Sequence, residues 1–197
     1  MSASKIAIAT ILLLATFAGC EWYGTLIPPT HWAYAIFVNF IFLAVATALM
    51  TALELPLFPP SYFDSRRFEM DGRMYRWAGL RAFVGILRFI GWEKFWRKQI
   101  PVRNDLEALR KYAEGTRGSE AVHVVAGVCV VGLTLSIALR YSWAGTKWLW
   151  LANVFINLYP VALQRYNRPR VERLILRLAR ATNATSTEPA DARESPS

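Results

Sequence analysis

The chain has 197 residues, with 23 Lys and Arg against 14 Asp and Glu, a formal net charge of +9. Hydrophobic residues make up 54% and charged residues only 19%, below the roughly 25% of an ordinary soluble domain. That profile excludes a disulfide-built secreted scaffold, a disordered tail protein and an ordinary cytosolic enzyme, and the length allows one domain with appendages.

The charge deficit is concentrated in four apolar runs. A bilayer core of about 30 Å needs roughly 20 apolar residues as a helix. The first run, 6–20, is short and holds only apolar or small residues. The second, 32–53, has Asn39 as its one strongly polar interior residue. The third spans 121–139, and the fourth, 143–163, carries Asn153 and Asn157. The fold class this predicts is all-α integral membrane, with four transmembrane helices and cytoplasmic interfacial amphipathic helices. The first run has a second reading. Phe17-Ala18-Gly19-Cys20 resembles a lipoprotein cleavage box, in which Cys20 would be acylated after removal of residues 1–19.

Basic residues sort by loop. The loop 21–31 has no Lys or Arg, the segment 56–119 has thirteen, and the region after the fourth run has seven. Because Lys and Arg favour the cytoplasmic side, both termini and the long middle segment are expected in the cytoplasm, at the inner membrane. Trp22, Tyr23, Trp32, Tyr34, Trp143, Trp148 and Trp150 lie near the proposed borders, as an aromatic belt would.

The middle segment opens on Pro56, Pro59 and Pro60, which stop a helix. Trp77, Leu80, Val84 and Leu87 repeat at helical spacing, edged by Arg81 and Arg88. This is either a helix lying in the interface or one packed on the cytoplasmic ends of the spans. Residues 105–112 predict a short exposed helix. Val171, Leu174, Ile175 and Leu178 among Arg170, Arg173, Arg177 and Arg180 predict a basic amphipathic helix over 168–181. Its partner is the anionic membrane lipid surface rather than nucleic acid. Residues 182–197 have nothing to bury and are expected to be disordered.

Several chemistries are missing. Cys20 and Cys129 give neither a disulfide framework nor a thiolate metal site. His31 and His123 are too few for a two-iron membrane desaturase. There is no Gly-x-Ser-x-Gly elbow, no phosphate-binding glycine loop and no His-x4-Asp pattern. Three polar clusters remain. Glu120 and His123 are three apart, so they share a helix face. A carboxylate beside an imidazole would fix its tautomer and favour general-base catalysis. Gln164-Arg165-Tyr166-Asn167-Arg168-Pro169-Arg170 follows directly on the fourth run. It reads either as a stop signal, with Asn167 near a cap and Pro169 in the first turn of a new helix, or as an anion site. Phe68-Glu69-Met70-Asp71-Gly72 precedes Trp77 and Arg81, with Glu69 as an acid, a base or a partner for Arg66 or Arg73.

Taken in order, Phe58-Pro59-Pro60-Ser61-Tyr62-Phe63, Phe68-Glu69-x-x-Gly72, Trp77, Arg81, Glu120-x-x-His123 and Gln164-Arg165-Tyr166-Asn167-Arg168-Pro169-Arg170 resemble the glycosyl-4,4'-diaponeurosporenoate acyltransferase family. These are small bacterial membrane proteins of carotenoid synthesis. The resemblance implies transfer of a fatty acyl group to the primary hydroxyl of a sugar on a membrane lipid. It implies acyl-CoA or acyl carrier protein as co-substrate, with no other cofactor and no metal. Under it, His123 is the general base and Glu120 its orienting partner. Arg165, Arg168 or Arg81 would hold donor phosphates or the oxyanion, with Asn167, Gln164, Tyr166 and Glu69 nearby. A homodimer could supply more of the site wall. Two other functions compete: a non-catalytic membrane adaptor for anionic lipid or a protein partner, and a small membrane methyltransferase or reductase of the isoprenylcysteine type.

Overall fold

The computed structural model describes residues 3–53, 58–92, 94 and 105–186. Among these residues every regular element is helical. Helices α1 (Ala3–Leu26) and α2 (Trp32–Leu53) come first. Two 3-10 turns, Pro60–Phe63 and Arg67–Gly72, then lead into α3 (Arg73–Tyr75), a bend at Ala78 and Gly79, and α4 (Arg81–Phe89). Helix α5 (Leu106–Tyr141) has 36 residues. Helix α6 (Lys147–Asn153), a π turn at Val154–Leu158 and α7 (Tyr159–Ser186) complete the described chain.

Among the described residues three helices, Ala3–Leu26, Trp32–Ala52 and Leu106–Tyr141, are long and apolar enough to cross a membrane. Their packing is close and built partly on small residues, as expected where lipid gives no hydrophobic drive for helix association. The core joins Tyr34, Val38 and Phe42 of α2 to Ala126, Val130, Leu133 and Ile137 of α5, with Leu149 of α6 and Cys20 of α1. Tyr34 donates its hydroxyl to the Cys20 carbonyl at 3.0 Å, and Phe17 meets Phe42 edge-on. Outward-facing Ile11, Leu14, Val128, Leu139 and Leu158 are exposed, as lipid-facing side chains would be.

Several sequence boundaries move. The first span is longer than 6–20, because nothing in 3–26 breaks a helix before Pro28. The short helix expected at 105–112 is not separate from the third span. Asp105 caps α5 by accepting from the Glu107 amide at 2.9 Å, and the helix then runs unbroken to Tyr141. At about 1.5 Å per residue, α5 is about 54 Å long, so a polar first part extends past a bilayer core of about 30 Å. The amphipathic helix placed at 168–181 is likewise continuous with what precedes it. Helix α7 runs through Pro169 to Ser186, so Asn167 is not a cap and Pro169 does not start a helix. Residues 182–186 of the expected tail are helical, and 187–197 lie outside the described residues. Part of the predicted middle segment, including 95–104, also lies outside them.

Candidate functional site

The long 36-residue α5 carries Glu120 to a point where α7 and the 60–75 segment converge. Glu120 is fully buried, at 0% exposure. Its Oε1 accepts from Arg165 Nε at 2.7 Å, and its Oε2 accepts from Arg168 Nη2. Arg165 also donates from Nη1 to Glu69 Oε1 at 2.6 Å and from Nη2 to the Tyr62 carbonyl at 3.1 Å. Arg168 Nη1 donates to the Phe63 carbonyl at 2.9 Å. Two carboxylates and two guanidiniums thus balance inside one buried cluster. Arg168 Nε is buried there with no partner among the described residues.

Local sequence explains this assembly. Arg165 and Arg168 are three apart on α7 and share a face. Their contacts with Glu120 anchor the turn just before Pro169, which lacks an amide donor, and the helix continues beyond it. Pro59 and Pro60 preset the turn that aims the Tyr62 and Phe63 carbonyls at the two arginines. The rings follow, with Arg165 over Tyr62 at 4.8 Å and Arg168 over Phe63 at 5.3 Å. Gly72 has a φ of 84°, and a Cβ there would lie 3.0 Å from Tyr166 Cα, so only glycine lets this turn lie against α7. Glu69 also accepts from the Tyr75 hydroxyl at 2.8 Å and from the Arg66 amide at 3.2 Å. Burial alone would raise its pKa, but the bonds from Arg165 and Tyr75 outweigh it and hold the carboxyl below the usual range. Burial, together with the same contact, pushes the Tyr75 hydroxyl up.

One α5 turn further on lies a second polar group. His123 Nδ1 is 3.4 Å from Asn157 Oδ1. Asn157 Nδ2 donates to both Asn39 Oδ1 and Asn153 Oδ1, each at 2.8 Å. Asn39 donates to the Ala35 carbonyl at 2.8 Å and Asn153 to the Gly127 carbonyl at 3.1 Å. Gly127 permits this approach, since a Cβ there would lie 3.3 Å from Asn157 Cβ. A chain of amides and one imidazole therefore ties α2, α5 and the α6–α7 junction inside apolar surroundings.

The structure brings Glu69, Glu120, Arg165 and Arg168 together. It does not pair Glu120 with His123, because both Glu120 oxygens are taken by guanidiniums from the neighbouring helix and the imidazole turns to Asn157. Gln164 sits beside the cluster, donating to Ser119 Oγ at 3.3 Å. Tyr166 backs onto Gly72 and lies beneath Arg170, whose guanidinium is 3.7 Å from the ring centre. Asn167 is half-buried and joins neither group. Arg81 is exposed at the start of α4 and lies outside the ionic cluster. Its neighbours Trp77 and Phe89 are 89% and 90% exposed. Sequence reasoning missed Tyr75, the two carbonyls and the linking role of Asn39, Asn153 and Asn157. The asparagines had a signal: a strongly polar side chain in an apolar helix needs a partner there. Among the described residues no three His, Cys, Asp or Glu side chains gather as a metal site.

These features define a helical chain with membrane-length apolar segments, a buried ionic clamp and, one helical turn away, an imidazole set against an asparagine. A family model described as CrtO, glycosyl-4,4'-diaponeurosporenoate acyltransferase, matches residues 59–177. That is more than half of the chain, and the chain belongs to this family, whose name implies an acyltransferase. Comparisons with curated proteins and with solved structures gave no match.

Proposed function

We propose that the protein moves a fatty acyl group from a thioester donor, acyl-CoA or acyl carrier protein, to a sugar hydroxyl of a glycosylated membrane lipid, a glycosyl carotenoid. The observation that carries this reading is the family match over 59–177, which takes in both the ionic cluster and His123.

His123 is the general base. Its imidazole takes the hydroxyl proton as the sugar oxygen bonds to the acyl carbonyl carbon. The carbon–sulfur bond of the thioester then breaks, and the departing thiolate receives the proton from the imidazolium. Glu120 serves this site by fixing the guanidiniums of Arg165 and Arg168 rather than by touching the ring. Those guanidiniums are neutralised by Glu69 and Glu120, which leaves exposed Arg81 as the better contact for donor phosphates. Gln164, Tyr166 and Asn167 line the α7 side.

Helix lengths support a membrane arrangement for this reading. His123 is eighteen residues from the Tyr141 end of α5, about 27 Å along the axis, close to the whole hydrocarbon thickness of about 30 Å. This supports His123 at one membrane face, and the excess of Lys and Arg in 56–119 supports the cytoplasmic one. The unbroken helical stretch from Lys147 through the π turn into α7 serves as the fourth span. The exposed Trp77, Phe89 and Ile90 of the α4 region lie in the interface beside Arg81 and Arg88.

The test uses purified protein in liposomes with labelled acyl thioester and a glycosylated carotenoid. Labelled acyl glycolipid is expected. Salt-sensitive liposome binding with no product from either donor would replace the enzyme with a membrane adaptor.

A further inference from the structure

The bonding order of three asparagines determines which nitrogen of His123 bears a proton. Backbone carbonyls only accept hydrogen bonds. Asn39 faces the Ala35 carbonyl and Asn153 faces the Gly127 carbonyl, so each must turn its NH2 to that carbonyl. Each then presents its Oδ1 to Asn157. Asn157 has to answer two acceptors at once, and its NH2 supplies two N–H groups for them. Its own Oδ1 is left towards His123 Nδ1, at 3.4 Å, and an amide oxygen also only accepts. The hydrogen must therefore come from the ring.

We infer that Asn157, held by Asn39 and Asn153, is a positioning residue that fixes neutral His123 as its Nδ1–H tautomer and leaves the lone pair on Nε2. This rests on the reading of His123 as general base, and it names the atom that takes the sugar proton. It also gives Asn157 the task that spacing alone had assigned to Glu120. An amide does this without placing a charge among apolar helices, where an ionised group is costly. The π turn at Val154–Leu158 contains Asn157. Such turns interrupt regular helix pairing and recur at functional positions.

His31→Gln leaves His123 as the only imidazole, and His31 takes no part in the amide chain. The protein is labelled with 15N-histidine in detergent micelles and its ring nitrogens are observed by NMR. A protonated Nδ1 and an unprotonated Nε2 are expected. Asn157→Leu, made in the same background, should give mixed tautomers. Turnover should fall several-fold with KM nearly unchanged, because only part of the protein then carries a free lone pair on Nε2. A protonated Nε2 beside a bare Nδ1 in His31→Gln would overturn the inference even if no Asn157 variant folds. The expected spectra with undiminished turnover in Asn157→Leu would leave the tautomer assignment standing and overturn the general-base reading instead.

Discussion

Glu120 and Arg165 lie 45 positions apart and meet at 2.7 Å, carboxylate Oε1 to guanidinium Nε. Arg168 takes the other carboxylate oxygen, and Glu69 takes a second edge of Arg165. One buried set of bonds thereby fastens α5, α7 and the 60–75 segment together. Taking charges out of water is expensive, and each partner is tolerated because the others are present.

Removing one partner exposes that cost. Glu120→Ala strands Arg168 with a buried charge and should destabilise the protein by about 3–5 kcal/mol. Adding Arg168→Ala leaves the Arg165–Glu69 pair in balance, so the double variant should lose less than the two single losses combined. Thermal unfolding in detergent of the four proteins measures this coupling. Additive losses would mean that the pair does not interact.

Two glycines should respond oppositely to Ala. Gly72→Ala sets a Cβ against the Tyr166 backbone at a φ of 84° and should cost more than about 1 kcal/mol. Gly85 lies in α4 with nothing within 4 Å, and its replacement should be neutral or stabilising by up to about 1 kcal/mol. Melting temperatures of the two variants decide it.

Stability should depend on Glu69 in acid. Its carboxyl is held below the ordinary value of about 4.3, so its contribution is complete above that pH and disappears as pH falls through the lower folded value. Unfolding curves between about pH 6 and pH 3 should steepen towards acid in the parent protein. In Glu69→Gln the protein should be weaker at neutral pH and lose less on acidification. Tyr75 acts with the other sign: its raised value gives stability below about pH 10 that is lost in stronger alkali.

The sequence made much of this readable and left one decisive contact hidden. Apolar runs and their Asn interruptions pointed to the helices, and the Gln164–Arg170 string pointed to the arginines of the clamp. The spacing of Glu120 and His123 was misleading because three residues apart defines a shared helix face, not a bond. Which side chain each one meets depends on α7, whose approach is set by contacts from residues about 100 positions away, such as Phe63 to Arg168. Pro169 misled for a related reason. Local propensity favours a break, yet the helix continues to Ser186, with the ion pairs of Arg165 and Arg168 anchoring the turn just before the proline.

The central claim is acyl transfer with His123 as base, and the lipids of cells making the protein test it most directly. Mass spectrometry of extracts should reveal a glycolipid heavier by one fatty acyl group on its sugar. That species should fall by about 10²–10⁴-fold when His123→Ala replaces the parent at equal membrane abundance. Equal amounts of the acylated lipid from both proteins would remove His123 from the chemistry, and its absence from cells making either protein would contradict the acyltransferase itself.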